Sequence, residues 1–109
     1  MSALAQRIDK ITGVIKARDI AQLLDTTPQT VSRWRTSRAA PQRASLERLL
    51  SLEWLIDQLR EFYEPDAARL WLFSPHPLLR GLRPVDKIRD GAIDEVLALI
   101  AQLQDGAYV

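Results

Sequence analysis

Apolar residues recur along this chain at spacings of three and four, without the strict alternation that marks a β-strand. A first helix is predicted near residues 3–13, and two short helices follow near 17–25 and 28–36. A break at Ala39-Ala40-Pro41 separates them from a long helix over 44–63. The apolar positions of the first segment are Leu4, Ile8, Ile11 and Ile15. The first half of the chain is therefore predicted to be helical throughout.

The second half continues the helical pattern in shorter elements. Pro65 lies near the start of a helix that ends in the run Ser74-Pro75-His76-Pro77, because each proline disfavours helix in the residue before it. Pro84 opens a short helix, and a last helix covers about 92–104, with Gly106 as its stop. These patterns together predict an all-α fold.

The stretch Ile20–Trp34, IAQLLDTTPQTVSRW, has the spacing of a helix-turn-helix, the unit that places a short helix in the major groove of DNA. The inward positions are predicted to be Ile20, Ala21, Leu24, Val31 and Trp34. Thr27 followed by Pro28 is typical of an N-cap and a first helical residue. Asp25 stands where such units usually carry glycine, and Asp tolerates left-handed backbone better than most residues. The alternative is an ordinary pair of amphipathic helices in a bundle.

The second helix of this unit leaves its polar side chains pointing outward. Gln and Arg are the side chains best suited to bidentate contact with adenine and guanine edges. The residues predicted to read bases are Gln29, Ser32 and Arg33. Those predicted to hold the DNA backbone are Thr30, Arg35 and Arg38.

Charge is divided unevenly between the two halves of the chain. Residues 1–50 carry nine Lys and Arg against four acids, a formal charge of +5, and residues 51–109 carry six against ten, a charge of −4. A basic half that contains a helix-turn-helix is the electrostatic footprint expected for phosphate contact. The acidic half would suit a basic protein partner, and a solvated acidic face is the other explanation.

The predicted long helix over 44–63 is apolar on most of its sides, so it should be buried on most of its sides. We expect one face to pack on the N-terminal helices and another on the C-terminal half or a second copy. A homodimer is predicted, because one protomer of this size does not readily cover so much apolar surface. Trp34, Trp54 and Trp71 each lie in an apolar helical pattern, and core packing is expected for them, with a position at an interface as the alternative.

Composition argues against an enzyme. The absence of cysteine excludes disulfides, thiolate zinc sites and cysteine nucleophiles, and it suits a cytoplasmic protein. No apolar run approaches the length of a membrane span, and the charged start is not a signal peptide. The single histidine, His76, lies between two prolines and is predicted to be an exposed loop residue. No catalytic residue, metal or cofactor is predicted.

The second half carries a set of short motifs in a specific order. They are Trp71-Leu72, Ser74-Pro75 with Pro77 and Leu78, Gly81, Arg83-Pro84, Asp90-Gly91 and a last helix closed by Gly106. In this order they resemble the toxin-binding domain of the Xre/MbcA/ParS-type antitoxins, and the first half resembles the Xre-like helix-turn-helix that precedes it. The short length and the Gly-Ala-Tyr-Val ending are most similar to MbcA-type members. The run Thr36-Ser37-Arg38 departs from Xre-type units, which often place a glycine there, so this turn is expected to carry backbone strain.

The resemblance implies a helix-turn-helix region over 1–43, joined to a dimerisation helix and a toxin-binding domain with a C-terminal tail over 44–109. It implies the antitoxin of a type II toxin–antitoxin pair, which also binds promoter DNA to regulate its own operon. The usual partner is a RES-domain toxin, which consumes NAD or uses it to ADP-ribosylate a target, and the antitoxin's C-terminal end enters its NAD cleft. The residues that would take this role are Gly106, Ala107, Tyr108 and Val109. The alternative is a stand-alone helix-turn-helix repressor whose C-terminal half dimerises or senses a ligand.

Overall fold

A computed structural model describes residues 2–106 of the chain. Over this range the chain forms seven α-helices and one short 3-10 helix and contains no strand, which confirms the all-α prediction. The helices are α1 (Ala3–Thr12), α2 (Ala17–Leu23), α3 (Pro28–Arg35), α4 (Arg43–Arg60), α5 (Pro65–Phe73), α6 (Pro84–Arg89) and α7 (Ile93–Gln104), with the 3-10 helix at Pro77–Leu79 between α5 and α6. Within the described range, no helix combines the length and apolar character needed to cross a membrane.

Side-chain caps and prolines set where several helices begin. The hydroxyl of Ser2 accepts a hydrogen bond from the amide of Ala5 at 3.0 Å at the start of α1. Thr27 caps α3 in the same way, accepting from the amide of Thr30 at 3.2 Å, as the sequence predicts. A proline occupies the first turn of α3, α5 and α6, where its missing N–H leaves no helical bond unmade.

Helix α4 ends earlier than the apolar pattern predicts, at Arg60 rather than near Tyr63. The amides of Glu61 and Phe62 donate to carbonyls only three residues back, at 3.3 Å and 3.0 Å. Such bonds tighten the last turn and stop the helix. The apolar residues after Arg60 therefore belong to the connection to α5 rather than to the long helix.

One cluster of buried apolar side chains runs through all seven helices of the described chain. Helix α4 lies at its centre, packed on α1 and on both α5 and α7. The side chains of α4 that are at most 1% exposed are Leu49, Leu52, Leu55, Ile56 and Leu59. The core thus crosses the boundary predicted between residues 43 and 44, and the division into those two regions stays a prediction.

Helix α4 leaves one of its sides exposed. Trp54 is 58% exposed and Leu50 is 37% exposed, so the core position expected for Trp54 is wrong. At 100° per residue, both lie on the side of α4 that faces away from the buried leucines. Trp34 is buried, as predicted, and Trp71 is half-buried.

Polar contacts also join the two halves of the chain. Asp19, a buried residue of α2, accepts hydrogen bonds from the amide of Lys16 at 2.9 Å and from Nη1 of Arg69 in α5 at 3.0 Å. Arg48 in α4 donates to the carbonyl of Leu23 at the end of α2. Buried charges are stable when they are paired in this way, and these pairs hold α2 against α4 and α5.

A second buried carboxylate, Glu53 in α4, faces α1. Its oxygens lie 2.5 Å from Nη1 of Arg7 and 3.0 Å from Nζ of Lys10. Burial alone would raise the pKa of Glu53, but the hydrogen bonds from Lys10 and Arg7 outweigh it and hold this pKa below its usual value. Hydrogen bonds to Glu53 and Asp57 in turn raise the pKa of Lys10.

We expect Glu53→Gln to destabilise the fold at neutral pH by about 1–3 kcal/mol, because two charge-assisted hydrogen bonds are lost. The pKa of Glu53 is lower in the folded than in the unfolded chain. The stability from this ion pair is therefore present above the usual value of 4.5 and is lost as the pH falls through the folded pKa. Urea denaturation from roughly pH 3 to pH 7 measures this difference, which should shrink on acidification. A difference that did not vary with pH would contradict the assignment.

Candidate functional site

Helices α2 and α3 pack against each other across the connection at residues 24–27. The residues predicted to point inward are all buried in the structure: Ile20, Ala21, Leu24, Val31 and Trp34. Helix α3 also contacts α1, so the pair is supported from behind by the first helix. This is the arrangement that the sequence predicts for its helix-turn-helix segment.

Two turns in this segment use non-glycine residues in left-handed backbone. Asp25 has φ 56°, and the amide of Thr26 after it donates to the carbonyl five residues earlier at 2.8 Å. Ser37 has φ 62° after α3, and the amide of Arg38 makes the equivalent bond, also at 2.8 Å. Both turns are helix endings of the kind in which glycine usually occupies the left-handed position. The chain therefore makes these turns at a conformational cost, as expected for Ser37.

The outward side of α3 is polar and exposed. The residues on this side are Gln29, Ser32 and Arg33. They lie opposite the buried Val31 and Trp34, as the 100° step of a helix requires. Arg38 is also exposed, in the turn that follows. We call the surface formed by these four side chains the front of α3. All four are accessible to a ligand that approaches this surface.

The two other residues predicted to contact DNA lie at the edges of α3 and already have partners. The hydroxyl of Thr30 lies 3.0 Å from that of Thr27. Nε of Arg35 lies 2.5 Å from Oδ1 of Asp9 in α1, in a half-exposed ion pair. Arg35 thus helps to fix α3 on α1, and its contact with a DNA backbone stays a prediction, as does that of Thr30.

The end of α7 is the other predicted site. Gly106 has φ 70°, and its amide donates to the carbonyl of Leu103 at 3.2 Å, which ends the helix where the sequence predicts. A Cβ at Gly106 would meet nothing within 4 Å, so glycine is favoured here by its backbone conformation and not by lack of space. The remaining residues predicted for this site lie outside the described range: Ala107, Tyr108 and Val109.

The last turn of α7 is held beside the end of α4. The side-chain amide of Gln104 donates to Oε1 of Gln58 and lies 3.5 Å from Oε2 of Glu61. These contacts fix where the chain leaves the helical body. The exit at Gly106 therefore lies near the acidic carboxyl end of α4.

Residues 52–106 match the family described as the antitoxin Xre/MbcA/ParS C-terminal toxin-binding domain. Mycobacterial cidal antitoxin MbcA of Mycobacterium tuberculosis (strain ATCC 25618 / H37Rv) is 37% identical over 91 residues, which cover 84% of this chain and 80% of the relative. A probable mycobacterial cidal antitoxin of the same strain is 32% identical over 91 residues, 84% of this chain and 77% of that relative. The chain belongs to the Xre/MbcA/ParS antitoxin family.

The fold agrees with this membership. The structure is similar to a chain in the crystal structure of the M. tuberculosis MbcT–MbcA toxin–antitoxin complex, with a TM-score of 0.86 and 32% identity over 100% of both chains. The matched family domain begins inside α4 and ends at Gly106. In this antitoxin the family domain thus includes the second half of α4 together with α5, α6 and α7.

The antitoxin also exposes apolar side chains that the helical pattern does not identify. Leu70 is 68% exposed, and Leu78 and Leu82 are 46% and 45% exposed. Buried Ala68 and Leu72 lie four residues apart on one side of α5, so Leu70 between them must point away from the core. This spacing is the only sequence signal that would have revealed it. Where such side chains form one contiguous patch, the patch often marks a binding surface.

His76 differs from its prediction as an exposed loop residue. It precedes the 3-10 helix and is half-buried, with its ring 6.1 Å from that of Trp71. Its Nδ1 accepts a hydrogen bond from the amide of Leu78 at 3.2 Å. The histidine therefore caps the turn that presents Leu78, which is a structural role.

We expect Ser37→Gly to stabilise the antitoxin by up to about 1 kcal/mol, because glycine adopts the left-handed backbone without a steric cost. Gln6→Gly is the matched control, since it places glycine at an exposed position inside α1 and should destabilise by about 1 kcal/mol. Thermal or urea denaturation of the three proteins measures both changes. A loss of stability in both variants would show that Ser37 carries no strain.

Proposed function

We propose that this chain is the antitoxin of a type II pair that inhibits a RES-domain, NAD-consuming toxin and represses its own promoter as a homodimer. It acts in the cytoplasm, without a cofactor and as an inhibitor rather than an enzyme. The observation that carries the proposal is the likeness, over the full length of both chains, to a component of a toxin–antitoxin complex. The toxin class and the use of NAD rest on the family resemblance.

The end of α7 supports the part of the proposal that concerns inhibition. Gly106 turns the chain out of the helix, so the last three residues can extend into a partner without unfolding α7. Tyr108 supplies a large ring with a hydroxyl, which suits a pocket that accepts a nucleotide. The terminal carboxylate of Val109 can pair with an arginine that otherwise holds phosphate. The exposed leucines at 70, 78 and 82 offer further apolar contact with the toxin body.

We expect deletion of residues 107–109 to abolish most inhibition while the antitoxin still folds and binds DNA. The buried core of the described chain is formed by residues up to Ile100, so we expect the helical body to fold without this segment. Tyr108→Ala should weaken inhibition roughly tenfold or more through loss of the anchor, whereas Tyr108→Phe keeps the ring and should inhibit nearly normally. An NAD-consumption assay with purified toxin, at equal antitoxin concentrations, compares the four proteins. Equal inhibition by the full chain and the truncation would shift the mechanism to occlusion by the helical body.

The front of α3 supports the part of the proposal that concerns DNA. Gln29, Ser32 and Arg33 are exposed on one side of a helix that begins at a well-formed cap. Arg38, at the end of this segment, can hold a phosphate. The half of the chain that contains them carries a charge of +5, which favours approach to DNA. In a homodimer, two such helices would meet half-sites about one helical turn apart.

We expect Arg33→Ala to weaken binding to the native promoter by about 1–3 kcal/mol and to relax specificity at one base pair. Arg38→Ala should weaken binding to all sequences and reduce the slope of log K against log salt by about one. Arg80→Gln removes an exposed arginine far along the chain in the toxin-binding domain and serves as the control. Fluorescence anisotropy at several salt concentrations measures these changes. If both α3-region variants bound like the wild type, the segment would have only a structural role.

A further inference from the structure

A line of six residues runs along the outward side of α4 to Glu61, the residue that follows the helix, and five of them are exposed while Asp57 is half-exposed. We call it the α4 stripe, and its members are Arg43, Glu47, Leu50, Trp54, Asp57 and Glu61. Their spacing alternates between four and three, which keeps them within a narrow band along the helix and is the spacing of a helix-pairing seam. The side chains of Arg43 and Glu47 are 93% and 66% exposed, and Leu50 and Trp54 are 37% and 58% exposed. The stripe faces away from the core.

The order of side chains in the α4 stripe is self-complementary. Its amino end carries the ion pair of Arg43 and Glu47, its centre is apolar, and its carboxyl end carries Asp57 and Glu61. Its members fall in pairs equidistant from Leu52: Leu50 with Trp54, Glu47 with Asp57, and Arg43 with Glu61. A second copy laid antiparallel, with a two-fold axis at the level of Leu52, would set Leu50 against Trp54 twice and Arg43 against Glu61 twice. Parallel pairing would instead set each charge against itself.

The like-charge pair in this register is already neutralised within each protomer. Nε of Arg43 lies 3.2 Å from Oε1 of Glu47, and Nζ of Lys10 lies 3.3 Å from Oδ2 of Asp57. In the antiparallel pair, Glu47 of one copy would face Asp57 of the other, and each carboxylate already has a cation from its own chain. The remaining charge contact across the axis, between Arg43 and Glu61, is attractive.

We propose that two copies of the antitoxin pair through the α4 stripe, antiparallel and with the two-fold axis at Leu52. The inference rests on the homodimer of the proposed function and adds the side of α4 that forms the contact, its direction and its register. A two-fold interface uses the same patch on both copies, so a self-complementary stripe is what such an interface requires. The indole of Trp54 is the apolar anchor, and the charged ends fix the register.

Charge reversal tests the register in solution. Arg43→Glu and Glu61→Arg should each raise the dimer dissociation constant roughly tenfold, because each sets like charges opposite each other at two places. The double variant R43E/E61R restores opposite charges across the axis and should recover part of the affinity, because Glu47 still lacks the cation that Arg43 supplies. Arg80→Glu makes the same charge change outside the stripe and should leave the constant unchanged. Sedimentation equilibrium at low salt measures all four, and Trp54→Ser should sediment as a monomer.

Cysteine trapping tests the direction of pairing independently. The chain has no cysteine, so the variant R43C/E61C holds the only thiols. Within one helix these two sites are about 27 Å apart and cannot bridge each other. Mild oxidation should therefore give a covalent dimer, whereas R43C alone should not. Cross-linking of R43C alone would indicate parallel pairing and overturn the inference.

The outcomes separate this interface from the rest of the proposed function. A wild-type chain that sediments as a monomer at tens of micromolar overturns both the dimer and its interface. A dimer that none of the stripe variants weakens stands as a dimer but overturns the α4 stripe as its interface. Loss of toxin binding in Trp54→Ser with an unchanged dimer assigns the stripe to the toxin and also overturns the inference. Inhibition and DNA binding by the wild type are measured separately and do not depend on these results.

Discussion

Burial of one side of α4 is the constraint on which the rest of this antitoxin depends. Helix α1 packs on it from the first half of the chain, and α5 and α7 pack on it from the second. Helices α2 and α3 contact each other. Helix α2 also packs on α6, and α3 packs on α1. Since α4 continues without a break over Arg43–Arg60, both halves are built on the same rigid element. The front of α3 and the exit at Gly106 therefore have fixed positions relative to each other.

Paired charges strengthen this arrangement where apolar packing alone would allow the halves to slide. Asp19 and Glu53 are buried, and their partners come from helices far away in sequence. A buried carboxylate without its partner would be strongly unfavourable, so each pair permits one relative placement of its two helices. Arg48 adds a third fixed point by donating to the end of α2. These contacts do not favour a hinge between the half predicted to bind DNA and the half that holds the family domain.

Local rules predicted the parts of the fold that depend on a few neighbouring residues. Thr27 with Pro28 starts α3, Asp25 accepts the left-handed turn, and Gly106 ends α7, each for a reason visible within one helical turn. The chemistry at the front of α3 follows from the same spacing. Its binding partner does not, because exposure alone does not identify a ligand.

Residues whose surroundings come from distant parts of the chain were less predictable. The sequence pattern predicts that Arg35 is an outward-pointing cation, but its partner Asp9 lies on another helix, 26 positions earlier. The leucine-rich pattern of α4 predicts that Trp54 lies in the core. An argument from composition does not show which side of the helix is left exposed. The charge order of the α4 stripe is present in the sequence, but it gains meaning only once the structure shows which side of α4 faces outward.

In the proposed dimer, the α4 stripe would also bring the second copy close to Gly106, where the proposed inhibitory tail begins. Glu61 closes the stripe and lies 3.5 Å from Gln104, two residues before Gly106. In an antiparallel pair, Arg43 of the second copy would lie against that same Glu61. Arg43 begins α4 directly after the segment predicted to bind DNA, so the dimer would set the DNA-binding half of one copy beside the tail exit of the other. A toxin held at one tail would then lie close to both copies, and its binding would bear directly on the spacing of the two α3 helices that are predicted to read DNA.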